Sequence, residues 1–254
     1  MPLIIEFSTL NPLSYDIMKT EIIKTERLTE NDRKALYGLF EQYYENTNYD
    51  RFLNDLREKH WLIRMMAESR LAGFSTQQLI KLPVGKTTIR YLFSGDTIVH
   101  PDYWNRSHLA GAFGHLFKNI LMDSCEPFYW FLISKGFRTY RFLPVFFKEY
   151  FPAHHGNNKE LKPFLDAIAL FKFPQNYNSS SGCIEPEMDK DFLNARMAPV
   201  PQGKLKDPHT NFFLEQNPEY RKGTELACIA PLSEENLTDC GKRVIRNTAV
   251  EWHV

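Results

Sequence analysis

The stretch TTIRYLFSGDTIVHPDYWNRSHLAGAFGHLFKNILMDS, residues 87–124, decides how the chain folds. Thr88 to Val99 is rich in β-branched and aromatic residues and reads as a buried strand. Gly95 interrupts it, and a glycine inside a strand marks a bulge or a close approach by another group. His100 to Ser107 is a polar loop. Behind it, Leu109, Phe113, Leu116, Phe117, Ile120 and Leu121 recur at the spacing of one helical face. Ser107 suits the N-cap. His108-Leu109-Ala110 brings no acid to the first turn, although the helix dipole favours one there. With Arg106 just outside, the helix start reads either as an ordinary connection or as a place for an anion such as phosphate.

Upstream, Leu3–Phe7 and Glu21–Thr25 are candidate strands. Thr29 with Asp32 forms a capping-box pattern for a helix running to about Glu45, with Leu36, Leu39, Phe40, Tyr43 and Tyr44 on one face. Asp50 is the expected cap of a second, short helix through Phe52 and Leu56. His60–Ala67, Leu71–Leu82 and the strand ending at Val99 follow each other across short turns, which predicts an antiparallel meander. Phe128–Ile133 is a continuous apolar run that suits a strand buried on both faces. After a helical crossover it should lie parallel to the one before. Thr139–Tyr150 reads as a helix interrupted near Pro144. Beyond Pro152 the composition shifts, with a helix over Lys159–Phe173, another around Phe212-Phe213-Leu214, and a late strand near 226–231. The expected organisation is a core over 1–152 and a C-terminal extension or lid over 153–254.

The chain has 254 residues and a formal net charge of zero, enough for one large domain and without the basic excess of a nucleic-acid binder. Its 20 Phe and 12 Tyr supply either a large mixed core or a roomy apolar pocket. Cys125, Cys183, Cys228 and Cys240 are too scattered for a zinc site or a disulfide framework. No apolar run is long enough to span a bilayer, and Met1–Glu6 lacks a basic leader. These features predict a reduced, cytoplasmic protein. His154, His155 and Glu160 lie close in sequence but lack helical ligand spacing, so no metal is expected. Neither a nucleophile elbow nor a phosphate-binding Gly-x-x-x-x-Gly-Lys occurs.

The run Ile98-Val99-His100-Pro101-Asp102-Tyr103 and the helix after it resemble the central motif of the GNAT acyltransferases, which bind the pyrophosphate of acyl-coenzyme A. The order of elements is also the GNAT order. The resemblance implies an α/β (α+β) fold with a mixed, mostly antiparallel central sheet flanked by helices. The loop departs from the motif. Trp104 stands where Arg or Gln is usual, Ser107 and Leu109 occupy the two small-residue places, and only Arg106 keeps a basic group. That erosion, with the aromatic richness, is similar to long-chain N-acyl amino acid synthases and acyl-homoserine-lactone synthases. It implies a donor on acyl carrier protein (ACP) or coenzyme A (CoA), no tightly bound cofactor, and a small amine or amino acid as acceptor.

On the same resemblance, Val99, Arg106, Ser107, His108 and Leu109 would hold the donor's phosphates and arm. A backbone N–H near Gly95 would polarise the thioester carbonyl. Ser94 and Asp96 would face the acyl group, with Asp96 as base; the alternative for Asp96 is a carboxylate paired with Arg90. His100 is a competing base, though His before Pro suits the structural lead-in. Phe147 takes the place of the family's acidic Tyr, leaving Tyr140 and Tyr150 as the nearby hydroxyls. Glu41, Tyr44, Glu45 and Arg51 would border the acceptor. The rival expectation is a GNAT-like module that binds a ligand or protein without catalysis.

Overall fold

The computed structural model describes residues 18–104, 106–122, 125–156, 158–187, 190–195 and 198–253. In chain order the elements are β1 (Met18–Lys24), α1 (Glu30–Phe40), β2 (Tyr44–Glu45), α2 (Tyr49–Arg57), β3 (Trp61–Ala67), β4 (Arg70–Val84), β5 (Thr87–Val99), α3 (His108–Leu121) and β6 (Phe128–Ser134). There follow α4 (Phe137–Tyr140), α5 (Phe142–Phe146), α6 (Lys162–Lys172), β7 (Tyr177–Asn178), β8 (Cys183–Ile184), β9 (Phe192–Leu193), α7 (Pro208–Gln216), β10 (Glu225–Pro231), α8 (Asp239–Asn247) and β11 (Glu251–His253).

Nine strands form one sheet in the order β11-β1-β3-β4-β5-β6-β10-β8-β7, and β2 pairs with β9 apart from it. The β3-β4-β5 meander is antiparallel, β5 and β6 run parallel, and β10 returns antiparallel to β6. This mixed, mostly antiparallel sheet flanked by helices is the arrangement expected from the sequence. The candidate strand at Leu3–Phe7 lies outside the described residues.

Apolar side chains divide between the two faces. Leu92, Trp130, Leu132 and Cys228 pack under α3, α5 and α8. On the other face, α6 covers Tyr91, Phe93, Phe131 and Ile229, while α1 and α2 cover Leu62, Phe74 and Ile98. The second face is therefore roofed in two halves, with a gap between α2 and α6.

Several local expectations need correction. The Thr29–Asp32 capping box is present, with Thr29 N–H donating to Asp32 at 2.9 Å and Asp32 N–H to Thr29 Oγ1 at 3.1 Å. The helix it starts stops at Phe40, because Tyr44-Glu45 are drawn into the pair with β9. Asn48 caps α2, accepting from Arg51 N–H at 2.9 Å, and Asp50 falls in the first turn. The helix expected over Thr139–Tyr150 is two short ones, α4 and α5, after which Phe147 bridges to Leu237. The late strand expected near 226–231 joins the core sheet: β10 pairs with β6 from Leu226 to Pro231, and Phe151 bridges to Ile229.

The C-terminal elements carry weight that the sequence did not announce. α8 lies directly on α3, where a Cβ on Gly111 would come within 2.0 Å of Thr248 and one on Gly114 within 2.2 Å of Ile245. Both positions need glycine because no real Cβ contact is that short.

Candidate functional site

β5 and β6 pair from Arg90↔Phe128 to Ser94↔Leu132, and there the pairing ends. β5 stays with β4 as far as Gly73↔Val99, and β6 stays with β10 as far as Ser134↔Leu226. Held apart by their outer partners, the two strand ends splay. The β6-facing edge of Gly95–Val99 then has no strand partner. The cause is visible in the register. Ser94 faces Gln77 and Thr97 faces Ser75, so Gly95 and Asp96 oppose the single residue Thr76. This is a β-bulge, which bends a strand and raises its twist, at the glycine where the sequence placed it.

Gly95 has a second role. A Cβ there would lie 2.7 Å from Lys59 Cε and 2.6 Å from Thr76 Oγ1. The Lys59 side chain is fully buried, and its ammonium donates to Asp55 Oδ1 at 2.6 Å. The glycine thus leaves room for a buried lysine behind the bulge.

Two clefts meet at the splay, with Tyr44, Thr97, Lys135 and Thr139 lining both. The first, about 260 Å³, opens in the gap between α2 and α6. Asp96 points into it. Burial, with the nearby Asp55 and Asp191 carboxylates, raises its carboxyl to about 7 against the pull of Lys135 and Lys59. Asp96 has no hydrogen bond or ion pair among the described residues, and neither have the Glu185 and Glu187 side chains that line the same cleft. The cations are engaged. Lys135 pairs with Asp191 and Glu225, Lys190 with Glu225 at 2.6 Å, Lys172 with Glu58 at 2.9 Å, and Arg51 also has a partner. Burial works against the Lys135 charge, but Glu225 and Asp191 outweigh it and hold its ammonium above the usual lysine range.

The second cleft, about 520 Å³, runs from the splay past the start of α3. Arg106, Lys135, Arg138, Arg141 and Lys204 line it, with no acid among its described residues. Ser107 makes no side-chain capping bond to α3, so the first-turn N–H groups have no side-chain cap. Trp104 closes one flank. Its indole N–H donates to the Val99 carbonyl at 2.8 Å, and the Arg138 guanidinium stacks 4.0 Å from its ring.

The structure brings Val99, Arg106, Ser107 and Leu109 into this second cleft and Asp96 beside it. The His108 side chain lines neither cleft; its Nδ1 is buried without a partner. Ser94 does not share the Asp96 cleft. It is 4% exposed, donates to Gln77 Oε1 at 2.7 Å and accepts from Trp130 Nε1 at 2.8 Å, on the α3 side of the sheet. Tyr140 is also displaced from the splay. It is fully buried, and its hydroxyl donates to the Pro152 carbonyl at 2.9 Å. Tyr150, 5% exposed, sits against it in the same core. Burial pushes both phenols up. Arg90 is nowhere near Asp96: its guanidinium donates to the Ile120 carbonyl and lies 3.6 Å from Glu126. Of the expected acceptor residues, Tyr44 and Arg51 line the Asp96 cleft, while Glu41 and Glu45 are exposed outside it. His100 lies between Tyr43, Tyr103 and Arg70 and lines neither cleft.

Sequence reasoning missed Thr97, Lys135, Thr139, Lys190, Asp191 and Glu225. Glu225 opens the late strand that the apolar run had located, and a buried acid at a strand end was the available signal. Lys190 and Asp191 come from a segment without periodicity and gave none.

No protein-family model and no curated protein matches the chain. Solved structures overlap it in part. A conserved Enterococcus faecalis protein described as a probable N-acyltransferase aligns over 53% of this chain at 10% identity and a TM-score of 0.41. The chain spans 33% of that protein's length. An aminoglycoside N-acetyltransferase, AAC(6')-Iy, in complex with CoA aligns over 44% of this chain and 74% of its own, at 15% identity and 0.34. The AtaT toxin, bound to the C-terminus of the antitoxin AtaR and acetyl-CoA, aligns over 56% and 88%, at 12% and 0.36. Overlaps of this size say nothing of what this chain binds.

Proposed function

We propose that the protein is an N-acyltransferase, moving an acyl group from a phosphopantetheine thioester to a small cationic amine. One observation carries this reading: an unpaired carboxylate, raised to about 7, at a splay between parallel strands. A base poised near neutral pH suits removal of a proton from an ammonium or an attacking amine. The amine nitrogen attacks the thioester carbon, forming the C–N bond; Asp96 takes the proton; the C–S bond breaks and the thiolate leaves. A backbone N–H on the unpaired edge of Gly95–Val99 is the oxyanion donor in this scheme. Thr97 and Thr139 are the hydroxyls at the crossing; Thr97 donates to the Gly95 carbonyl at 3.2 Å, which leaves Thr139 as the hydroxyl donor for the leaving sulfur in this scheme.

The charges assign the entrances. An anionic donor arm suits the acid-free cleft with Arg106 and Arg138, and a cationic acceptor suits the cleft with unpaired Asp96, Glu185 and Glu187. An amino acid fits less well, because each described cation on the acceptor side already has a partner. ACP is the favoured donor over CoA. Its arm carries one phosphate and depends less on the backbone approach that the missing loop glycines would allow.

The test is product detection by mass spectrometry, with acyl-ACP and acyl-CoA offered in turn to diamines, monoamines and amino acids. Amide formation faster with diamines than with amino acids is expected. Withdrawal of Tyr140 into the core favours the second reading, a binding module without catalysis. That reading gains if donor binds and no amide forms with any amine.

A further inference from the structure

On the α3 side of the splay lies an apolar pocket with about 50 Å³ of water-accommodating space. Six rings, Phe113, Phe117, Trp130, Phe142, Phe146 and Phe147, line it. Phe113 and Trp130 lie 4.7 Å apart, and Trp130 and Phe147 5.5 Å. The cavity shares Thr97, Leu109, Ala110, Thr139, Phe142 and Phe146 with the donor cleft, so its mouth is at the splay. Its far end belongs to α3 and α8, where Ile245 packs onto Gly114.

Apart from Thr139, the polar side chains in the wall bond to one another. Trp130 donates to Ser94, Ser94 to Gln77, and Gln77 to Ser75 at 2.7 Å; Ser75 and Thr97 hydroxyls are 2.7 Å apart. Water has few free partners there, and an apolar void of this kind stays dry. A void in a core is destabilising, and one that opens onto a reaction centre has a natural occupant in the reacting group.

We infer that this cavity receives the acyl chain of the donor and sets its length; the inference rests on the acyltransferase reading. On a scale where one water takes about 10–15 Å³, the cavity holds roughly four water-sized groups, and a methylene is of similar bulk. The fitting chain is compact and apolar, with about four carbons beyond the carbonyl. The aromatic wall and α8 exclude the long chains that the sequence resemblance suggested. Phe113, Phe117 and Ile245, at the end away from the splay, act as specificity-determining residues.

The test measures affinity by calorimetry, and initial rate, for acetyl, butanoyl, hexanoyl, octanoyl and decanoyl thioesters, each on ACP and on CoA. Affinity should rise about fourfold per methylene up to hexanoyl and fall from octanoyl on. Phe113→Ala should move the optimum to longer chains. Leu132→Phe should lower the hexanoyl-to-acetyl preference about tenfold, the loss of nearly two methylene steps. Thermal melting shows whether each variant folds, and the length series on the unaltered chain decides alone if one does not. A flat series, or affinity still rising at decanoyl, overturns the inference. Binding that follows chain length without transfer to any amine overturns the proposed function and keeps the cavity's role. Transfer of acetyl with no gain from longer chains does the reverse. No binding on either carrier overturns both.

Discussion

The two clefts share a crossing point and differ in almost everything else. On one side the cations are tied up and three carboxylates have no partner among the described residues; on the other no acid is among the described lining, and of its five cations Lys135 and Arg141 pair with acids outside it. At the splay Asp96 is the charged side chain of the opened strand edge, and Lys135, just past β6, is held by Asp191 and Glu225. A protein with zero formal net charge has thus sorted its charge across one opened strand pair. Net charge alone excludes partners that need a large uniform field; it does not describe the local fields that two small substrates would meet.

The sharpest way to break this contrast is at Asp96. Asp96→Asn should lower transfer by about 10²–10⁴-fold, the range for a lost general base, while donor affinity stays within twofold of the parent, roughly an experimental scatter of 0.4 kcal/mol. In the parent, rate should climb with pH through about 7 and level off as the carboxyl ionises. Stability should move the other way. The folded state holds this proton to a higher pH than the unfolded chain does, so stability falls as pH rises from about 4 to about 7. Asp96→Asn should therefore raise Tm at pH 8, by about 2–4 °C for each kcal/mol relieved, with the gain gone below pH 4, near the unfolded pKa of about 3.9. A fall in Tm at pH 8 would count against a strained carboxylate.

The wall between the clefts is tested at Gly95. Gly95→Ala should cost about 1–3 kcal/mol through overpacking on Lys59 and Thr76, measured by denaturant melts. Combining it with Lys59→Ala should recover part of that loss. Additive losses would show that the glycine serves something other than the lysine.

Smaller effects should separate the two entrances. Arg106→Ala is expected to weaken donor binding about tenfold, as for one charge-assisted contact, and to leave acceptor KM alone. Glu185→Gln with Glu187→Gln should raise the KM of a cationic acceptor about two- to threefold, an effect of exposed charges that salt erases, with donor affinity unchanged. If Arg106→Ala shifts acceptor KM instead, the assignment of the entrances is reversed.

The sequence was most legible where a local rule governs. Alternation, turn residues and one interior glycine located the meander, the buried parallel strand and the bulge, because strand periodicity and backbone freedom are properties of neighbouring residues. The position of Asp96 was legible for the same reason, since it is the second residue of the bulge. Ser94 was misjudged because a bulge alters which face each neighbour takes, and the partners that claim its hydroxyl, Gln77 and Trp130, come from other strands. Tyr140 was misjudged because the helix carrying it breaks after four residues and rotates the phenol toward Pro152. Lys135, Lys190 and Glu225 meet only through the tertiary fold, and no spacing along the chain encodes that meeting.

The last strand has a bearing on how the molecule is made. Glu21 pairs with Glu251 and Ile23 with His253, so an early strand closes its outer edge only with residues near the opposite end of the described chain. α8 reaches back to α3 in the same way. Contacts this distant in sequence are slow to form because loop closure precedes any gain from them. During synthesis the edge of β1 and the back of α3 stay uncovered until the segment carrying α8 and β11 has left the ribosome, and an uncovered strand edge is a template for association with other chains. The chain is therefore most exposed to misassembly before residues 239–253 are available.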